Sequence, residues 1–315
     1  MFTNATLFKI KKQKLYPYIR IIKINIFIII LFLINCEYRE NNFQHQDMQR
    51  KTTSYSNGAT KEQWEELNSS KHGIYNMFYT SGSIKHMAYY ANGENHGFAY
   101  HYYSNGSINE ISHYKHGRLD GLFIKYGANY KLKQLAPYKD NLIHGIVLQY
   151  HNNGNLKLAS QYLHGLPNGF SKLYFNSGRI SLITAFTKGK LDGSIQSFNR
   201  SGKLATKISY HDNIANGSLY TYYTNGNPRL EVSISNNRFK GSYKKYHSSG
   251  ALWTVGEIQY IQEQNKSVIK REGQITLEIV YHSGDILEVK EYFDDGQLKE
   301  SYKFKNFTLM ESTDY

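Results

Sequence analysis

Tyr102-Tyr103-Ser104-Asn105-Gly106-Ser107-Ile108-Asn109-Glu110-Ile111-Ser112-His113-Tyr114-Lys115-His116-Gly117-Arg118-Leu119-Asp120-Gly121 holds both turn signals that recur along the chain. Gly106 belongs to a series with a 24-residue period: Gly58, Gly82, Gly106, Gly154, Gly178, Gly202, Gly226 and Gly250. Tyr130 stands where that series would place one more glycine. Gly121 belongs to a second series with the same period, unbroken from Gly73 to Gly241. Two interleaved series with one period mean an internal repeat, and repeats have to be recognised before any element is assigned. Glycine at this density also leaves no room for a helix of ordinary length.

With the glycine of the first series as position zero, position −4 is aromatic in the eight units from that of Gly82 onward: Phe78, Tyr102, Tyr126, Tyr150, Tyr174, Phe198, Tyr222 and Tyr246. Position +2 is Ile or Leu except at Pro228, position +8 is mostly Tyr, and position +6 is mostly small. Side chains alternate along a strand, so the even positions are expected on one face. The rings at −4 and +8 would then form ladders, with the small side chains at +6 giving them room. Asn57-Gly58, Asn105-Gly106 and Asn225-Gly226 point to two-residue type I′ turns, which need positive φ at both central residues. The second series, as in Asn92-Gly93-Glu94-Asn95-His96-Gly97, reads as a longer loop. Each unit is then two strands of about six residues. Tyr130 predicts an altered turn in its unit, and Pro228, without a donor, a local bulge.

The expected fold is all-β: an elongated, twisted, single-layer antiparallel meander of stacked 24-residue hairpins over residues 54–256. Thr60-Lys61-Glu62-Gln63 resembles a helix capping box, but the glycine spacing reads this segment as strand in a degenerate first unit. Past Trp253 the period fails. Residues 257–315 read as an irregular β cap, since an array needs an atypical end unit to cover its last edge.

The formal charge of +13 comes from 38 basic and 25 acidic residues. Six of the basic residues (Lys9, Lys11, Lys12, Lys14, Arg20, Lys23) lie in residues 1–35, so the remainder has 32 against 25, or +7. That excess is spread without a basic run and gives no nucleic-acid footprint. The basic segment is followed by the apolar run Ile26–Ile34, too short to span a bilayer, and then by Cys36, the one cysteine of the chain. This order is that of a secretory leader over residues 1–35. Residues 36–53 are polar and aperiodic and read as a flexible tether. Leu33-Ile34-Asn35-Cys36 resembles the lipobox of bacterial lipoproteins, with Asn35 where a smaller residue is usual. The resemblance implies that Cys36 is acylated and anchors the protein in the cell envelope, in the outer membrane or at the surface if the cell has two membranes. More than one acyl chain is needed for stable anchoring, and such a cysteine supplies it.

Thirteen histidines raise the question of a metal. Equivalent turn histidines such as His72, His96 and His144 are two strands apart, about 9–10 Å. Zinc ligands lie within about 2.0–2.3 Å of one ion, so stacked equivalents cannot share it. No nucleophile elbow, HExxH, phosphate loop or dinucleotide fingerprint occurs, and carboxylates such as Asp120 and Asp192 stand in turns. The expectation is no catalytic residue, no metal and no cofactor.

Segments such as Tyr114-Lys115-His116-Gly117-Arg118-Leu119-Asp120-Gly121 and Tyr222-Tyr223-Thr224-Asn225-Gly226 resemble the bacterial variant of the MORN repeat, also found in the YwqK-type antitoxin-like family. The likeness covers about residues 54–256 and extends toward 281–306. It implies a scaffold or interaction surface. The expected function is therefore an exported, lipid-anchored, non-catalytic binding surface for a protein or envelope component. The alternatives are a binder of anionic membrane surfaces and an antitoxin-like protein-binding module. Candidate contact residues are Tyr102, Tyr126, Tyr150, Tyr174, Tyr222 and Tyr246, because tyrosine presents a large ring with a polar tip.

Overall fold

The computed structural model describes residues 48–271, 274–281, 286–292, 295–305 and 308–314. Residues 1–47, with the proposed leader and Cys36, lie outside them. Within the described residues no helix is long and apolar enough to cross a membrane. The described residues form one open antiparallel meander of 26 strand segments, in which successive strands pair except where a two-residue strand and the next one share a partner. The first strand, Gln49–Ser54, pairs with Thr60–Leu67, so residues 49–53, assigned above to the tether, belong to the sheet. Thr60–Leu67 is strand as the glycine spacing requires, despite its capping-box residues.

The two turns exchange the roles expected of them. At the first series, Tyr55 N–H donates to Ala59 O (2.8 Å) and Gly58 N–H to Tyr55 O (2.9 Å). Asn57 keeps negative φ and only Gly58 is positive, at +84°. This is the three-residue loop in which a left-handed residue follows a tight turn, not a type I′ pair. The asparagine acts instead through its side chain: Ala59 N–H donates to Asn57 Oδ1 at 3.1 Å, and Asn105 and Asn225 do the same for Ser107 and Asn227. The type I′ pairs are in the second turn, where both central residues have positive φ: Asn92 and Gly93, His116 and Gly117, Asp140 and Asn141. Because that turn takes only two residues, the strands are longer than expected, as in Ile84–Ala91 and Glu94–Tyr102.

The glycines of the second series sit inside strands at a bulge. Ala88 faces Ala99 but Tyr90 faces Asn95, so His96, Gly97 and Phe98 lie across from Tyr89 alone. In three units the bulge cuts a two-residue strand off the next, as at Arg118–Leu119 before Gly121–Tyr126. A Cβ at Gly121 would stand 3.0–3.2 Å from the His113 side chain, so glycine is needed there for space as well as for its φ of +132°.

Tyr130 does not alter its turn. Gly127 N–H donates to Lys131 O and Tyr130 N–H to Gly127 O, as in every other unit, with Tyr130 at φ +60° and 70% exposed. The loop geometry is imposed by the strands on either side, and the tyrosine accepts a left-handed backbone to fit it. Such a residue costs about 1–2 kcal/mol. Tyr130→Gly is therefore expected to raise stability by about 1 kcal/mol, read as a higher urea midpoint with unchanged slope. No gain would mean that the ring recovers the strain through contacts.

A one-residue slip follows each first-series turn: Met77 faces His86, but Phe78 faces Ile84. Pro228 lies at this slip, opposite Tyr222, so its expected bulge is a property of every unit. The slip also overturns the expectation that the −4 and +8 rings share a face. On one face, the packed face, Tyr75 pairs with Ala88, and Ala88 with Ala99. The row continues through Ser112, Ala136, Val147, Ser160, Ile208 and Val232, all buried. The +8 rings flank this row, Tyr75–Tyr90 at 5.7 Å and Phe123–Tyr138 at 6.1 Å between centroids. A single layer buries an axial row because its side chains are mostly small and the neighbouring rings cover them. The aromatics at −4 go to the other, open face together with the side chains at −6 and −8, as Tyr100 stacking on Tyr102 shows.

Beyond Ile261 a short 3-10 turn, Gln262–Gln264, replaces the two-residue turn. The strands from Lys266 on continue the meander. Val268, Ile269, Leu277 and Ile279 are buried, the last three clustering with Ile208, Val232, Ile234, Phe239 and Ile258 of the last repeats.

Candidate binding surface

The open face is built by position −8, one residue past the second-series glycine. Ile74, Leu122, Ile146 and Phe170 are 52%, 43%, 57% and 62% exposed, and Phe98 fills the same position between them. In the following units the position becomes Ser194, Ser218 and Ser242, so the face turns polar along the array. Around Ile146 the apolar surface widens at the type I′ turns, where Leu142, Leu163 and Leu166 are exposed. Leu122 faces Pro137 and Phe170 faces Ala185 across the strands, whereas Ile146 faces Gln161 and Phe98 faces His113. Leu252, Trp253 and Val255 expose a smaller apolar patch in the last repeat.

All six candidate tyrosines fall in one row beside the first-series turns, each half-buried and paired with position +2, as Tyr102 with Ile108 and Tyr246 with Leu252. Burial pushes the hydroxyls of Tyr102, Tyr126 and Tyr222 above the usual tyrosine value. Their backbone also ties units together. Tyr79 Oη donates to Tyr102 O at 2.7 Å, Tyr103 Oη to Tyr126 O at 3.0 Å and Tyr223 Oη to Tyr246 O at 2.8 Å. His151 fills the same place with Nε2 2.9 Å from Tyr174 O. At the opposite turns Gly93 N–H donates to Lys71 O and Gly117 N–H to Asn95 O, so both edges of a hairpin are fastened to the next unit. The row at −8 was missed in the sequence although it recurs once in every repeat; parity counting fails across a one-residue slip.

Among the described residues, histidine pairs of two kinds meet. Turn residues such as His96 and His116, or His144 and His164, meet edge-on at 5.5 and 5.0 Å. His86 and His101 are not equivalent positions, and the register sets them directly opposite on the packed face with centroids 4.1 Å apart. Burial first, and His101 second, hold the His86 imidazole down at about 4 from the usual 6.5. The unfolded chain takes up this proton near 6.5 and the folded chain only near 4, so the stability from neutral His86 is complete above 6.5 and is lost as pH falls toward 4. In chelator-containing buffer the wild-type midpoint is expected to fall between about pH 7 and about pH 5, and that of His86→Gln to fall less. Parallel curves would refute the assignment.

The hairpin geometry matches a known repeat. The family model described as the MORN repeat variant matches residues 71–92, 96–116, 143–164 and 287–306. These four segments are similar to MORN repeats. Each of the first three matches is one hairpin around a first-series turn, as Ser70–Phe78 with Ile84–Ala91. The fourth MORN match falls within the cap, on Ile286–Tyr292 and Leu298–Lys305, where Gly296 has φ +85° and Gln297 N–H donates to Asp295 Oδ1. The Tyr130 hairpin lies between matched MORN segments and has the same turn and slip. No curated protein matches the chain. Among solved structures it is similar to a chain of "Crystal Structure of TcdB2-TccC3-Cdc42", with 10% identity over 86% of this chain and 18% of that one. The TM-score of 0.14 is too low to carry an argument, and this chain spans under a fifth of that chain's length.

Proposed function

We propose that this MORN-repeat chain is an exported, lipid-anchored scaffold that binds a protein or envelope polymer over its open face and catalyses no reaction. The observation that carries the reading is the exposed row Ile74, Leu122, Ile146 and Phe170 on a single-layer sheet. Apolar sheet faces are ordinarily covered by a second layer, and large exposed apolar patches mark interaction sites. The half-buried tyrosines border the row and supply polar tips at its rim. The anchor rests on Cys36 after its apolar run, which supports the reading of a diacylated lipoprotein of the bacterial cell envelope. Kinship with the YwqK-type bacterial repeats belongs to the same reading, without the antitoxin role, since export separates the chain from a cytoplasmic toxin.

Two measurements test it. Full-length wild-type chain and the Ile146→Asp/Phe170→Asp variant are used to capture material from envelope extract. A partner held by the wild type and lost by an equally stable variant supports the reading, and equal capture by both refutes it. For the anchor, Cys36→Ala is expected to leave the membrane fraction and lose a fatty-acid label. A variant still wholly membrane-bound with unchanged labelling would sink it.

A further inference from the structure

On the packed face four successive strands place Met77, His86, His101 and Glu110 side by side, each directly opposite the next. Directly opposed residues have Cβ atoms about 4.5–5.5 Å apart. His86 and His101 already touch, and His86 Nδ1 is buried with no hydrogen-bond partner. Its ring is also engaged by a backbone hydrogen bond at Tyr100. A buried imidazole nitrogen left without a partner beside a second imidazole is suited to a metal ion, for which histidine is the commonest ligand. Without an ion, a buried unsatisfied nitrogen only costs stability.

We propose that His86 and His101, completed by Glu110, form a site for a divalent transition-metal ion of the zinc and copper class. Two nitrogens bound to one such ion at about 2.0–2.1 Å are roughly 3 Å apart, and the two rings, 4.1 Å apart between centroids and inclined at 33°, have to splay to direct both nitrogens at it. Among the described residues no three ligating side chains converge as they stand, so Glu110 has to turn from its place opposite Lys125 toward His101. A carboxylate with two imidazoles is a zinc donor set that leaves one position for water. Stacked equivalent histidines are too far apart to share an ion, but these two come from non-equivalent positions that the register brings together.

The test is Zn2+ binding to the full-length chain by equilibrium dialysis, with folding checked by circular dichroism and melting. The wild type is expected to bind one tight equivalent. His86→Gln/His101→Gln should lose it, and Glu110→Gln should weaken it by about tenfold or more. His116→Ala/His164→Ala, at exposed turns, should bind as the wild type does. Loss of binding in the turn variant with retention in His86→Gln/His101→Gln would overturn the proposal, as would absence of a tight wild-type site. Unchanged binding by Glu110→Gln would overturn the third ligand. A variant-free check uses Cu2+ and the ring proton resonances of the wild type. Paramagnetic broadening should strike His86 and His101 first, and broadening confined to the turn histidines counts against the site.

Discussion

Gly145→Ala is expected to destabilise the array by about 4 kcal/mol, and Gly97→Ala, at the equivalent place in another unit, by only about 1–2 kcal/mol. Both glycines lie in the strand bulge with positive φ, +123° at Gly145 and +85° at Gly97. An L side chain is strained in either, at about 1–3 kcal/mol. The difference is what the new methyl would meet. At Gly97 nothing lies within 4 Å; at Gly145 it would stand 2.8 Å from Pro137 Cγ and 3.6 Å from Pro137 Cβ. The proline ring is closed onto its own backbone and cannot rotate aside, so the strands must part, and overpacking of this kind costs about 1–3 kcal/mol more. Urea denaturation of the two variants beside the wild type measures the contrast. Equal losses would show that backbone strain alone governs the series and that the proline contact relaxes freely.

This contrast also shows what could be read from the chain before its structure. The period, the antiparallel meander and the strand at Thr60–Leu67 follow from glycine spacing, because a backbone that must take positive φ at fixed intervals leaves few alternatives. Which turn was which did not follow. Asn-Gly favours type I′ when two residues close a hairpin, but here the loop has three, and Asn57 keeps negative φ while its side chain caps the next N–H. The loop length is set by strand pairing on both sides, which local propensity does not encode. Tyr130 makes the same point, since a residue poorly suited to the left-handed region occupies it when both flanking strands require the turn.

The surface was less legible than the fold for the same physical reason. A one-residue slip per unit moves the aromatics at −4 to the face opposite the buried row, so alternation counted straight through the turn assigns half of each unit wrongly. The exposed row from Ile74 to Phe170 and the contact of His86 with His101 both depend on that register. Neither is visible in composition. The six tyrosines were identified by periodicity and do form one row, but as a half-buried border to the apolar row.

Phe239→Ala is expected to cost about 3–5 kcal/mol, the range for removing a buried aromatic side chain, and to do so locally. Phe239 is 4% exposed within the largest apolar cluster of the described residues, which joins Ile208, Val232, Ile234 and Ile258 of the last repeats to Ile269, Leu277 and Ile279 beyond them. Its carbonyl also accepts a hydrogen bond of 2.6 Å from Ser267 Oγ, a buried hydroxyl on the first strand past the regular array. Earlier repeats bury chiefly a narrow row, mostly of small residues such as Ala88, Ala99 and Ala136, so the C-terminal strands supply a wider core than these repeats have. In an array each unit touches only its neighbours, and a loss at one junction spreads no further than the units it supports. Hydrogen exchange should therefore quicken in Leu252–Ile261, Lys266–Arg271 and Arg238–Tyr246, while Ile84–Ala91 and Glu94–Tyr102 keep wild-type protection. Uniform loss of protection along the chain would mean that the sheet melts as one cooperative body. The C-terminal strands would then be an integral part of that body instead of a clamp on one end of a modular array.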